Sequence, residues 1–104
     1  MTTFDDRERA FEAKFAHDEE MQFKAAMRRN KILALWAAGL MDYEPDRAAG
    51  YVKDLIQADL AHPGDQDVFD KLKADLGERV SDIDLRSRMD AAMTEAKAQI
   101  VADG

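Results

Sequence analysis

Apolar residues recur at three- and four-residue spacing along most of the chain, the period of a helix buried on one side. The clearest stripe is the last one: Leu85, Met89, Ala92, Met93, Ala96 and Ile100 predict a helix over about 83–101. Val68, Phe69, Leu72 and Leu76 predict another over about 66–77. Ala48, Val52, Leu55, Ile56 and Leu60 mark one face of a helix over about 45–61. Upstream, Ile32, Leu33, Trp36 and Leu40 give the apolar face of a long helix from about 18 to about 40. Together these predict an all-α fold, a small four-helix bundle closed around Trp36.

Local punctuation agrees with those limits. Asp42-Tyr43-Glu44-Pro45 reads as a loop that places proline at a first helical position. Ala61-His62-Pro63-Gly64-Asp65 is a breaker, with His62 near a helix C-terminus and Asp65 as the next N-cap. Gly77 suits a helix C-terminus, and Ser81-Asp82-Ile83-Asp84 approximates a capping box.

The first seventeen residues follow another pattern. Phe4, Phe11 and Phe15 stand at i, i+7 and i+11 on an otherwise charged segment. At 100° per residue they fall within about 40° of one another. Continued forward, that stripe meets Gln22 and Ala26, while Phe23 and Met27 lie off it. The phase slips at His17-Asp18-Glu19-Glu20, where Asp18 can cap a new helix whose first turn favours the two glutamates. The chain therefore divides into a partly helical N-terminal arm over 1–17 and a bundle over 18–104. So little apolar surface makes the arm a marginal helix by itself. Its three aligned aromatics can serve as anchors in a partner's groove, or they can cover the bundle.

Composition narrows the possible functions. The chain has 104 residues, no cysteine, five glycines and two prolines. That length suits one domain, and the absence of cysteine excludes disulfides, thiolate metal sites and a cysteine nucleophile. A formal charge of -7 argues against nucleic-acid or anionic-membrane binding, both of which want excess Lys and Arg. The charge is uneven. Residues 1–31 hold seven acids and seven bases, so the whole deficit lies in the remainder. Acids near the N-terminus leave no signal peptide, and the longest nearly uncharged run, Ile32 to Met41, is half a membrane span. A cytoplasmic monomer is expected.

Catalytic constellations are missing, which makes an enzyme an unfavoured reading. His17 and His62 are far apart, and Ser81 and Ser87 lack a nucleophile-elbow context. No phosphate-binding glycine loop occurs. The acidic segments beginning at Asp42 and Asp65 fail as calcium loops, because Arg47 and Asp70 replace the required glycine. No metal or other cofactor is therefore expected. The cluster Arg28-Arg29-Asn30-Lys31 points in several directions on a helix and favours ion pairs over phosphate.

The run Phe4-Asp5-Asp6-Arg7-Glu8-Arg9-Ala10-Phe11-Glu12-Ala13-Lys14-Phe15-Ala16-His17-Asp18 carries more than amphipathicity. With Phe23-Lys24, Arg28-Arg29-Asn30-Lys31, Leu35-Trp36-Ala37-Ala38 and Asp67-Val68-Phe69, it closely resembles the zeta subunit family of alphaproteobacterial F-type ATP synthases. The likeness covers essentially the whole chain. It departs at Ala34 and Asp42, where the family favours glycine, and at Met27, where a smaller residue is usual.

The resemblance implies a small ATPase inhibitor, a four-helix bundle preceded by a mobile inhibitory segment. That segment would insert at the catalytic interface of the alpha and beta subunits near the gamma stalk, blocking hydrolysis while permitting synthesis. It would bring the protein to the membrane periphery through the ATP synthase. The residues so implicated are Phe4, Asp5, Arg7, Glu8, Arg9, Phe11, Glu12, Lys14 and Phe15, within an arm from Thr2 to about His17. Two alternatives remain open. One is a helical adaptor with another partner, docking through Trp36 and the Phe stripe. The other is a nucleotide-sensing module in which Arg28, Arg29 and Lys31, with Lys71, would meet the phosphates of ATP or ADP.

Overall fold

The computed structural model describes residues 18–61 and 64–103. The arm, with its aromatic stripe and His17, lies outside the described residues, as do His62 and Pro63. Four α-helices occupy the rest: α1 (Glu19–Leu40), α2 (Pro45–Ala61), α3 (Gln66–Leu76) and α4 (Asp82–Asp103). A single 3-10 turn (Gly77–Arg79) joins α3 to α4, and no strand occurs among the described residues.

Each junction has a local cause. Asp18 is extended (φ −114°, ψ 100°), and its carboxylate accepts the Met21 N–H at 3.0 Å, capping α1. At the far end the Tyr43 N–H donates to the Ala38 carbonyl at 2.9 Å and the Asp42 N–H to that of Gly39 at 3.2 Å. This is a Schellman closure that needs a left-handed residue at position 42, and Asp42 has φ 57°. An aspartate tolerates that conformation, which accounts for its standing where glycine is usual. Pro45 opens α2. Gly77, at φ 59°, ends α3, and Ser81 Oγ accepts the Asp84 N–H at 3.1 Å to begin α4.

Asp65 departs from its expected role. It precedes α3 but is itself helical in φ and ψ, and its side chain makes no capping bond. The carboxylate is turned instead to Arg29 on α1.

The central element is α1, which packs along α2 and α4 while the short α3 bridges its neighbours. The core joins Leu33, Ala34 and Ala37 to Tyr51 and Leu55, to Val68, Phe69, Leu72 and Leu76, and to Leu85, Met89 and Ala92. Trp36 is not its centre. Only partly buried, it packs against the core's edge with the Arg88 guanidinium 5.2 Å from its ring. On α1 the buried apolar positions besides Leu33 are all alanines, 25, 34, 37 and 38. Ala34, fully buried, fits there as a glycine would.

On α2 the buried face is rotated from the expected one. Tyr51 and Leu55 point inward, Val52 and Ile56 are half-buried, and Leu60 is 58% exposed. Tyr51 pays for its hydroxyl by donating to Asp75 Oδ2 at 2.7 Å, and its ring meets Tyr43 edge-on at 5.9 Å. Burial, then the bond to Asp75 and its charge, hold the Tyr51 phenol protonated far above the ordinary range. Unfolding returns the phenol to its ordinary value near 10, so above about pH 10 the unfolded chain ionises there and the folded one does not. Stability is therefore expected to fall as pH rises past that point, and Tyr51→Phe should flatten the slope in alkaline denaturant melts. An equal slope in both proteins would refute this origin.

Candidate functional site

The basic run on α1 separates into two sites. Arg29 turns inward and is 2% exposed. Its Nη1 donates to Asp65 Oδ1 at 2.6 Å, and its Nη2 lies 3.6 Å from Asp59 Oδ2. Nε and Nη2 also donate to Asn30 Oδ1 at 3.1 and 3.0 Å, while Asn30 Nδ2 donates to Asp59 Oδ2 at 2.9 Å. The network satisfies a buried charge with carboxylates from the end of α2 and the threshold of α3. Arg29 is thus a tie between three elements, facing away from Arg28 and Lys31.

Those two residues, with Lys24, line a groove of about 920 Å³ beside the first half of α1. Its apolar lining comes from Met21, Phe23 and Met27 of α1, Val52 and Ile56 of α2, and Ile100 and Val101 of α4. Phe23 is 54% exposed and Val101 50%, so a sizeable apolar surface stands open next to the cations. Arg28 Nη1 donates to Gln99 Oε1 at 3.1 Å, holding the guanidinium toward α4. Lys24 pairs with Glu20 at 3.4 Å on the surface, a contact worth little by itself.

Lys71 belongs to a different face. It lies 3.1 Å from Asp75 and 5.2 Å from the centre of the Tyr51 ring. The four cations considered for phosphate therefore occupy three places, and only Arg28 and Lys31 converge. Among the described residues no cluster of His, Asp and Glu could hold a metal ion. None of the described helices is long and apolar enough to cross a membrane. Aromatic and charged residues of the arm, from Phe4 to Phe15, lie outside the described residues.

Sequence reasoning placed Lys24 in the family resemblance but not in a site, and did not single out the groove. The available signal was Phe23 and Met27 falling off the stripe of the arm, since apolar residues out of phase with one face must serve another.

A family model described as ATPase inhibitor subunit zeta matches residues 1–99. A solved structure, a solution NMR structure, is 34% identical, covering 81% of this chain and 99% of that chain with a TM-score of 0.73. No curated protein matches.

Proposed function

The chain belongs to the ATPase inhibitor subunit zeta family, and from that membership we propose that it inhibits ATP hydrolysis by an F-type ATP synthase through its N-terminal arm. The carrying observation is the extent of the family match. It begins at residue 1, and so takes in the arm as well as the bundle. The arm enters the interface of the alpha and beta subunits close to gamma, with Phe4, Phe11 and Phe15 as anchors. Arg7, Arg9 and Lys14, together with Asp5, Glu8 and Glu12, pair with both signs of charge and set the register.

Inhibition on this reading is mechanical. A wedge held between subunits stops a conformational cycle, and no group of the inhibitor touches the reacting phosphate. The acidic bundle stays outside, too wide to follow the arm. The protein is a regulator without chemistry of its own, and it sits at the membrane periphery through its enzyme.

The test is hydrolysis by purified ATP synthase titrated with the full chain. Phe11→Ala should raise the half-inhibitory concentration by about tenfold or more, and Glu12→Ala by less than about threefold, because buried anchors outweigh rim charges. Absence of inhibition by the unmodified chain would refute the proposal, and equal losses in the two variants would refute the anchors.

A further inference from the structure

The groove beside α1 has no occupant among the described residues, and its position and chemistry identify one. Between Met21 and Lys31 the chain carries four cations and no carboxylate, although it is acidic overall. Arg29 turns inward, which leaves Lys24, Arg28 and Lys31 at i, i+4 and i+7 along the groove. Lys24 already meets Glu20 at 3.4 Å and Arg28 donates to Gln99, and a partner complementary to the groove would add carboxylates at matching intervals, interleaved with apolar side chains.

The arm of this same chain meets that description. Asp5, Glu8 and Glu12 mirror Lys31, Arg28 and Lys24 about residue 18. Each pair stands equally far from Asp18, as partners do in an antiparallel helical hairpin. On a helix the three acids fall within about 60° of one another, directly beside the stripe of Phe4, Phe11 and Phe15. Phe4 to Phe15 would span ~16 Å as a helix, against ~15 Å of α1 from Met21 to Lys31. Residues 16–18 remain for the reversal, within the roughly two to five residues of such turns. Asp18 is extended, the ordinary conformation of an N-cap, and opens α1.

We propose that the groove is the resting dock of the arm, with the pairs Asp5–Lys31, Glu8–Arg28 and Glu12–Lys24 setting an antiparallel register. The aromatic stripe then lies over Met27, Val52, Ile56 and Ile100. The tether makes weak contacts sufficient. A directly linked segment has an effective concentration on the order of millimolar, so an intrinsic affinity in that range already populates the dock. The two readings of the stripe, partner anchors and bundle cover, become two positions of one segment. On the proposed inhibitory role, which this regulatory consequence rests on, groove and enzyme compete for the arm.

The absence of cysteine allows a clean test on the full chain. A nitroxide attached at Thr3→Cys should broaden the methyl resonances of Val52 and Ile56 and leave those of Val80 and Leu85 sharp. Lys24→Glu with Lys31→Glu should abolish the broadening while Arg28 and its bond to Gln99 remain. Adding Asp5→Lys and Glu12→Lys to that protein should restore it. No selective broadening, or broadening indifferent to the reversal, would overturn the dock. This readout needs no ATP synthase and so stands or falls separately from the inhibitory reading. In the hydrolysis assay the same double reversal should lower the half-inhibitory concentration by about two- to tenfold, the reciprocal of the free fraction of arm. A rise instead would assign the groove to contact with the enzyme and refute its role as a shelter.

Discussion

Truncation of residues 1–17 is expected to abolish inhibition of ATP hydrolysis while leaving the bundle folded. The division follows from where the stabilising contacts lie. Among the described residues, every buried apolar side chain falls between Ala25 and Ala96. The truncated chain keeps Asp18, whose carboxylate caps α1, and keeps the first-turn glutamates that suit the helix dipole. What it loses in the free protein is the tethered contact with the groove, a few surface ion pairs and partial aromatic cover. Such a contact is worth no more than about 1 kcal/mol, which for a domain of this size moves the melting temperature by less than about 8 °C. Circular dichroism should therefore show the same helical signal and one cooperative transition. Full inhibition by the truncated protein would remove the arm from the mechanism. Loss of cooperative melting would show that the arm belongs to the core.

The helices were legible because periodicity is a local property. Val68, Phe69, Leu72 and Leu76, and then Leu85, Met89, Ala92 and Ala96, are buried as their spacing demands, with Met93 half-buried beside them. Caps were legible for the same reason, since Asp18, Gly77 and Ser81 act within three or four residues of themselves. Rotation of a helix about its own axis was harder to read. The apolar spacing of α1 does not show that Trp36 sits at the edge beside Arg88, while the buried positions belong largely to alanines that carry almost no hydrophobic signal. Tyr51 was passed over because its burial depends on Asp75, a partner 24 residues away. The same limit governed the candidate site. That Arg28, Arg29 and Lys31 diverge follows from helix geometry, but the burial of Arg29 requires Asp59 and Asp65, which only the tertiary fold supplies. Asp65 shows the competition directly: a residue placed to cap α3 gives its carboxylate to a buried guanidinium, because an uncompensated buried charge costs more than an open helix end.

That network sets the largest stability effect expected in the bundle. Arg29→Met keeps most of the buried volume and removes every donor that Arg29 offers to Asp59, Asp65 and Asn30. Asp65 is 63% exposed and can rehydrate, but Asp59 is 11% exposed and keeps only the Asn30 amide among these partners. Breaking one side of a buried pair typically costs about 3–5 kcal/mol, a large share of the ~5–15 kcal/mol that holds a domain of this kind. A fall in melting temperature of more than about 10 °C should follow. The loss should come from the stranded carboxylate rather than from a missing attraction, and a second protein separates these causes. In Arg29→Met with Asp59→Leu and Asn30→Leu the polar set is replaced together, and most of the stability should return, since a packed apolar substitute for a buried ion pair is often neutral or better. If the combined variant is as unstable as Arg29→Met alone, the arginine is needed for its geometry. It would then be the tie between α1, the end of α2 and the start of α3, and amide exchange in those segments should quicken before the rest of the bundle opens.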